Sequence, residues 1–205
     1  MSKARKLKKA ETWLRLVKSG TIHAKDIGLP GARNDGDGDL SRFIARWRLA
    51  ANFVSVGIDG YKEDTIKGYT GIIKLVLAVN AGEQFSACLG IQSSHMVHLE
   101  SVLDLNIHLI KWTATVRRVF EMLDRHLEFN NLKRRISIAI EREHFDLLPF
   151  AFGVRHLFSH GIFTAGANDA DARSVGSLCI KVADNILDSL EIAFSSSVAK
   201  IQNHN

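Results

Sequence analysis

Apolar side chains recur at three- and four-residue steps along most of this 205-residue chain, and no other feature limits its fold as strongly. No segment alternates apolar and polar residues between turns, as a half-buried strand would. No internal repeat is present. The period therefore predicts an all-α fold, a helical bundle of long antiparallel helices.

Cap and turn residues give the approximate ends of the helices. The first helix is predicted over about residues 3–18 with Gly20 after it, and Asp39 is predicted as the N-cap of the second. The remaining predicted helices lie at about residues 61–79, 98–127, 132–142, 146–160 and 169–201, with residues 81–94 unassigned. The buried stripe predicted for the third helix is Ile66, Tyr69, Ile73, Val76 and Leu77.

The predicted organisation has two parts. Residues 1–38 form a basic N-terminal helix or arm and a polar loop, which contains Pro30-Gly31 and the Asn-, Asp- and Gly-rich residues 34–38. Residues 39–205 form the helical bundle.

Positive charge is concentrated in the N-terminal helix. Seven lysines and arginines and one acid, Glu11, occur in the first 20 residues, whereas the whole chain carries a net charge of +5. Such a segment suits phosphate backbones or anionic lipid surfaces, and the alternative is a solvated terminal helix. The residues predicted to contact RNA are Lys3, Arg5, Lys6, Lys8 and Lys9.

Composition excludes several classes of protein. Two cysteines, Cys88 and Cys179, are too few for a disulfide scaffold, and their apolar surroundings predict buried, reduced thiols. The longest apolar run, residues 147–154, is far shorter than the roughly 20 residues of a membrane-spanning helix. The N-terminus lacks the apolar core of a secretory signal. These features predict a cytoplasmic protein with no membrane partner.

One acidic run has part of a calcium-loop pattern. Asp35, Asp37 and Asp39 stand at the first, third and fifth positions, where carboxylates would converge on the ion. The sharp-turn glycine and the bidentate glutamate are replaced by Leu40 and Arg46. The pattern therefore favours a capped loop over a calcium site.

Two histidine pairs have helical spacing suited to a metal: His95 with His98, and His156 with His160. Neither pair has a third ligand at a recognisable spacing, so no metal site is predicted. His108 and His126 are interpreted as surface or core residues.

Residues 152–161, Phe-Gly-Val-Arg-His-Leu-Phe-Ser-His-Gly, contain the most informative motif. An apolar helical run precedes Arg155-His156, His160 follows, Gly161 ends the helix, and a long amphipathic helix lies downstream. This arrangement resembles the HEPN superfamily (higher eukaryotes and prokaryotes nucleotide-binding domain). Its signature is an arginine, a polar residue and a histidine after four to six intervening residues, near the end of a bundle helix. The resemblance covers about residues 40–200.

The resemblance implies a metal-independent endoribonuclease without a cofactor. Arg155 and His160 are then the catalytic residues, in a composite site made by the motifs of two protomers. His156 would orient them or contact RNA, and Ser159 would donate a hydrogen bond. Enzymes of this type act as toxins or defence effectors, which implies an antitoxin or inhibitor protein as a partner. The products would be 2′,3′-cyclic phosphate and 5′-hydroxyl ends.

Helix geometry adds a requirement of its own. Five residues of a regular helix separate Arg155 and His160 by roughly 140° around the axis, so the helix must loosen between them. Gly161 as the C′ residue supplies such an end. The alternative to a catalytic role is that both residues simply lie at a helix C-terminus, where the helix dipole favours cations.

Three functions stay open at the level of sequence. They are the ribonuclease, a non-catalytic HEPN-like module that binds nucleotide, RNA or a protein partner, and an unrelated all-α protein. Aromatic residues around the motif, which suggest a half-buried interface, predict a homodimer; they are Phe150, Phe152, Phe158 and Phe163.

Overall fold

The computed structural model describes residues 3–27, 37–89, 95–103, 110–166 and 169–204. All regular structure in these ranges is helical, which confirms the predicted all-α fold. The α-helices are α1 (Lys3–Lys18), α2 (Asp37–Asn52), α3 (Glu63–Cys88), α4 (His95–Val102), α5 (Ala114–His126), α6 (Asn130–Glu141), α7 (Leu147–Ser159) and α8 (Ala172–His204). A short 3₁₀ helix covers Ala24–Ile27. None of the helices in these ranges combines the length and the apolar content needed to cross a bilayer.

The chain divides into two compact units. Unit 1 contains Met1–Phe53, Leu77–Asp104 and Asp184–Asn205, and unit 2 contains Val54–Val76 and Leu105–Ala183. Helices α3 and α8 therefore contribute residues to both units. The predicted division after residue 38 falls inside unit 1.

Helix α1 belongs to the core of unit 1. The Trp13 ring lies 4.9 Å from the Trp47 ring and 4.7 Å from the Phe194 ring, centroid to centroid. The Trp47 indole donates a hydrogen bond to the Leu187 carbonyl oxygen over 3.0 Å. Ala10, Trp13 and Val17 repeat at helical spacing and are buried, so this face of α1 packs within unit 1.

Helix α2 begins two residues before its predicted cap. The Asp37 carboxylate accepts a hydrogen bond from the Ala24 N–H at 2.8 Å and contacts the His23 ring nitrogen at 2.8 Å. The Asp39 carboxylate instead pairs with Arg42 on the same helix. Apolar residues at three- and four-residue steps form the buried face of this helix: Phe43, Ile44, Trp47 and Ala51.

Helix α3 differs from its prediction in length and in its buried face. It continues to Cys88, because Ala81, Phe85 and Cys88 extend its buried side within unit 1. The predicted stripe is only half-buried, whereas Ile72, Leu75, Ala78 and Val79 are buried.

Glycines explain the rotated face of α3 in unit 2. A Cβ atom on Gly71 would overlap the backbone of Gly176 in α8. A Cβ atom on Gly68 would lie 2.7 Å from the Ala165 Cβ atom. The two helices thus touch through backbone, a contact that an apolar pattern does not reveal.

The long helix predicted over residues 98–127 is wrong. Helix α4 ends at Val102, and α5 starts at Ala114 with Thr113 as its N-cap. The Thr113 hydroxyl accepts a hydrogen bond from the Val116 N–H at 3.3 Å. Thr113, although its spacing fits the interior of a helix, therefore caps the start of one. Residues 104–109, which include His108, lie outside the described residues.

The last three helices agree with their predictions to within a few residues. Helix α6 starts at Asn130 and α8 at Ala172, where the Asp171 carboxylate accepts a hydrogen bond from the Ser174 N–H at 2.8 Å. Cys88 and Cys179 are buried free thiols, as predicted. Burial raises the pKa of Cys88 to about 12 and also raises the pKa of Cys179.

Candidate functional site

The Arg-His motif lies in the last turn of α7, which packs against α5 and α6 in unit 2. Asp146 precedes the helix, and its carboxylate accepts three hydrogen bonds from the Arg135 guanidinium of α6, at 2.7, 2.9 and 3.1 Å. Gly153 lies close to the Leu123 side chain of α5. The apolar face, which includes Val154 and Leu157, is buried. The motif therefore stands on a firmly packed helix.

Helix α7 ends where the sequence predicts. His160 is the C-cap, with φ −91° and ψ 5°, and its N–H donates to the His156 carbonyl oxygen at 3.2 Å. Gly161 has φ +71°, in the left-handed region, and its N–H donates to the Phe158 carbonyl oxygen at 3.0 Å. His160 keeps the regular hydrogen bond to His156, so the turn between Arg155 and His160 stays helical and the backbone changes direction only after His160. The loosening expected between Arg155 and His160 is therefore not observed.

Three rings form a continuous row beside the end of α7, which we call the ring cluster: Phe129, His156 and His160. The centroids of the two imidazoles are 4.5 Å apart, and the Phe129 ring lies edge-on to His156 at 4.8 Å. His160 is exposed, and Phe129 is 58% exposed. The cluster thus presents imidazole and aromatic surface to solvent.

The electrostatics link Arg155 to this cluster. Burial lowers the pKa of His156, and the nearby charges of His160 and Arg155 lower it further, while Glu128 opposes them. His156 is therefore neutral at neutral pH. The half-buried Arg155 also accepts, through its carbonyl oxygen, a hydrogen bond from the Ser159 hydroxyl at 2.8 Å. The Ser159 hydroxyl, which was predicted to donate a hydrogen bond at the site, thus donates it to a backbone carbonyl of its own helix.

The aromatic residues predicted to form a dimer interface separate into two groups. Phe150 and Phe163 are buried in unit 2, so they serve its core and are not available to a partner. Phe152 and Phe158 are half-buried. Exposed apolar surface beside the motif comes instead from Phe129 and Ile162.

Sequence reasoning missed Phe129. Its signal was a large aromatic residue inside a polar helix break, between Glu128 and Asn130, where an apolar side chain has no helical neighbour to cover it. That signal does not indicate which other element the ring would approach.

Two of the α1 lysines that were predicted to contact RNA form ion pairs within the chain. Lys6 pairs with Asp188 at 2.6 Å, and Lys9 pairs with Glu191 at 2.7 Å, both carboxylates belonging to α8 in unit 1. Lys6 is buried, whereas Lys8 is exposed. The side chains of Lys3 and Arg5 lie outside the described residues. Lys6 and Lys9 therefore help to hold α1 against α8 in unit 1.

The other candidate ligands do not gather into a metal site in the ranges the structure covers. No group of three or more His, Cys, Asp or Glu side chains there can hold an ion. Asp37 is engaged by His23 and Ala24, while Asp35 and the side chains of His95 and His98 lie outside the described residues. His126 is exposed at the end of α5.

The fold and the site together define an all-α protein with an arginine and two histidines at the exposed end of a packed helix. No protein-family model, curated protein or solved structure matches the chain.

Proposed function

We propose that this chain is a metal-independent endoribonuclease of HEPN type, with Arg155 and His160 as its catalytic residues. The observation that carries the proposal is a pair of imidazoles 4.5 Å apart at an exposed helix end, with Arg155 directly before His156 in the chain. Imidazole exchanges protons near neutral pH, and guanidinium binds phosphate oxygens. These are the groups that cleavage of a phosphodiester by its own 2′-hydroxyl requires.

In the proposed reaction, His160 removes the proton of the ribose 2′-hydroxyl. The 2′-oxygen forms a bond to the neighbouring phosphorus while the bond from phosphorus to the 5′-oxygen breaks. Arg155 stabilises the negative charge that develops on the phosphoryl oxygens. The leaving 5′-oxygen takes a proton from a second histidine, His160 of the other protomer in a homodimer. The products are a 2′,3′-cyclic phosphate and a 5′-hydroxyl.

His156 acts as a positioning residue. Its lowered pKa keeps it neutral, so it adds no repulsive charge beside His160 and Arg155. Its ring lies between Phe129 and His160, which restricts the orientations open to the catalytic imidazole. Phe129 in turn offers an exposed face on which an unpaired base of the substrate can stack.

Single substitutions test the assignment of the catalytic pair. His160→Ala is expected to slow RNA cleavage on the order of 100-fold or more, the usual scale for loss of a positioned acid or base. Arg155→Ala is expected to cause comparable damage through lost charge stabilisation. The control is His126→Ala, which removes an exposed histidine from the end of α5. Parental rates in either motif variant would refute the assignment.

The non-catalytic HEPN-like module that binds nucleotide, RNA or a protein partner is the alternative outcome. It would be supported if RNA binds without being cut and the same substitutions weaken binding. The ribonuclease proposal includes a role as a toxin or defence effector whose activity is inhibited by an antitoxin or inhibitor protein. Light scattering that gives only the 22.8 kDa monomer at high concentration would exclude the two-protomer site.

A further inference from the structure

A second candidate site lies in unit 2 and shares no residue with the ring cluster or with Arg155. It is a cavity of about 630 Å³ between the segment that enters α5 and the first three turns of α8. Its size falls within the range of small-molecule sites, roughly 300–1,000 Å³. Three cations line it, Lys111 from the first segment and Arg173 and Lys181 from α8.

The charged side chains among the described residues that line this cavity are all basic. Arg173 is held by Asp64 of α3 at 2.7 Å, so that pair is close to neutral. Lys111 and Lys181 are exposed and form no ion pair within the part of the chain that the structure describes. None of the described residues that line the cavity is acidic. Two lysine charges are therefore available to an anion.

Hydroxyl groups and an apolar wall complete the lining. The hydroxyl side chains of the lining include Thr113, Thr115 and Ser177. The Thr113 oxygen accepts a hydrogen bond from the Val116 N–H, so its hydroxyl proton is available for donation to a ligand. The Ser174 hydroxyl is engaged by Asp171. The apolar residues of the lining are Ile110, Val116 and Leu178.

We propose that this cavity binds a small phosphate ester. A phosphate carries a charge of about −1.5 to −2 at neutral pH and three strong acceptor oxygens, which matches two lysines and neighbouring hydroxyls better than a carboxylate does. The organic part of the ester packs against the apolar wall. A small molecule is the proposed ligand, because the lysines, the hydroxyl groups and the apolar wall line one cavity of about 630 Å³.

Calorimetry on the full chain tests this proposal with ribose 5-phosphate, AMP and ADP, and with adenosine as the uncharged comparison. At least one phosphate ester is expected to bind with one-to-one stoichiometry, and adenosine is expected to bind at least 10-fold more weakly. The double variant Lys111→Gln/Lys181→Gln should weaken ester binding at least 10-fold. Lys200→Gln, on an exposed lysine of α8 outside the cavity, should not change it.

A filling variant separates the cavity from general surface charge. Ser177→Phe keeps both lysines but occupies the cavity, and it should abolish ester binding, while Ser196→Phe at another exposed position of α8 should not. The proposal is overturned if no ester binds up to about 10 mM, or if the lysine double variant binds as tightly as the parent. Binding of an RNA oligonucleotide that these substitutions weaken, without ester binding, would assign the lysines to an RNA surface and also overturn it.

Discussion

At the scale of single residues, the ring cluster shows how neighbours assign different tasks to two histidines. His156 is half-buried between Phe129 and His160, and its pKa is lowered by burial and by electrostatic interaction with His160 and Arg155. His160 stands at the helix end and is exposed. The same side chain is thus suited to packing at one position and to proton transfer at the other.

The lowered pKa of His156 predicts a pH dependence of stability. Below its usual pKa the unfolded chain takes up a proton that the folded chain resists, so folding stability falls as pH drops from about 6.5 toward the lowered folded value. Replacing His156 with Asn should reduce the stability lost between about pH 7.5 and about pH 5. Urea unfolding at several pH values measures this. His126→Asn is the control, and an unchanged pH profile in His156→Asn would contradict the prediction.

The exposed ring of Phe129 predicts a contribution to substrate binding. Stacking of a base on an aromatic ring contributes about 1–3 kcal/mol, so Phe129→Ala should raise the KM for RNA on the order of 10-fold with a smaller change in kcat. Phe129→Tyr should restore the parental KM. Tyr61, which is 52% exposed in the same unit, provides the control Tyr61→Ala. Equal KM values for Phe129→Ala and the parent would remove the stacking role.

At the scale of elements, contacts between helix backbones in unit 2 fix the path of α3 and α8. Gly68 and Gly71 of α3 meet Gly176 of α8 with no room for side chains. The buried face of α3 follows this contact, while its larger apolar residues at Ile66 and Tyr69 are only half-buried. Small residues therefore determine the packing of the helix here.

The glycine contact can be tested by adding one methyl group. Gly71→Ala should lower the free energy of unfolding by about 1–3 kcal/mol, because the new Cβ atom meets the Gly176 backbone and the helices must separate. Gly57→Ala, at an exposed position with open space, should change it by no more than about 0.5 kcal/mol. Chemical denaturation measures the free energy of unfolding of both variants. Equal values for Gly71→Ala and Gly57→Ala would contradict the prediction, because they would show that α3 and α8 accommodate the methyl group without cost.

Local backbone signals can be read from the sequence of this chain, whereas contacts made by packing cannot. The end of α7 was predictable because Gly161 acts locally, through its own backbone conformation. The start of α5 was not, because Thr113 occupies a position with helical spacing and only its hydrogen bond to Val116 reveals a cap. Arg155 and His160 were found from their motif, whereas Phe129 reaches His156 only through the packing of α5, α6 and α7.

At the scale of the whole molecule, the distribution of charge has a structural use. The chain carries a net charge of +5 with its lysines concentrated in α1, yet two of them meet acids of α8 in unit 1. Glu191 is one of these acids, and it is buried. Part of the basic end therefore compensates buried negative charge within unit 1.

Lys9 should accordingly matter more for stability than its neighbour Lys8. Lys9→Gln leaves the buried Glu191 carboxylate without its cation and should lower the free energy of unfolding by about 1–2 kcal/mol. Lys8→Gln removes the same charge from an exposed position and should change it by less than about 0.5 kcal/mol. Thermal and urea unfolding compare the two, and an equal effect of both would contradict this role.

The most direct test of the central proposal is the chemistry of the cut ends. A pool of single-stranded oligoribonucleotides and DNA of matched sequence are incubated with the full chain in excess chelator, and the products are identified by mass spectrometry. We expect that RNA alone is cut, that cleavage proceeds without metal, and that the ends are 2′,3′-cyclic phosphate and 5′-hydroxyl. Ends with a 3′-hydroxyl, cleavage of DNA, or loss of activity in chelator would contradict a reaction carried by Arg155 and His160.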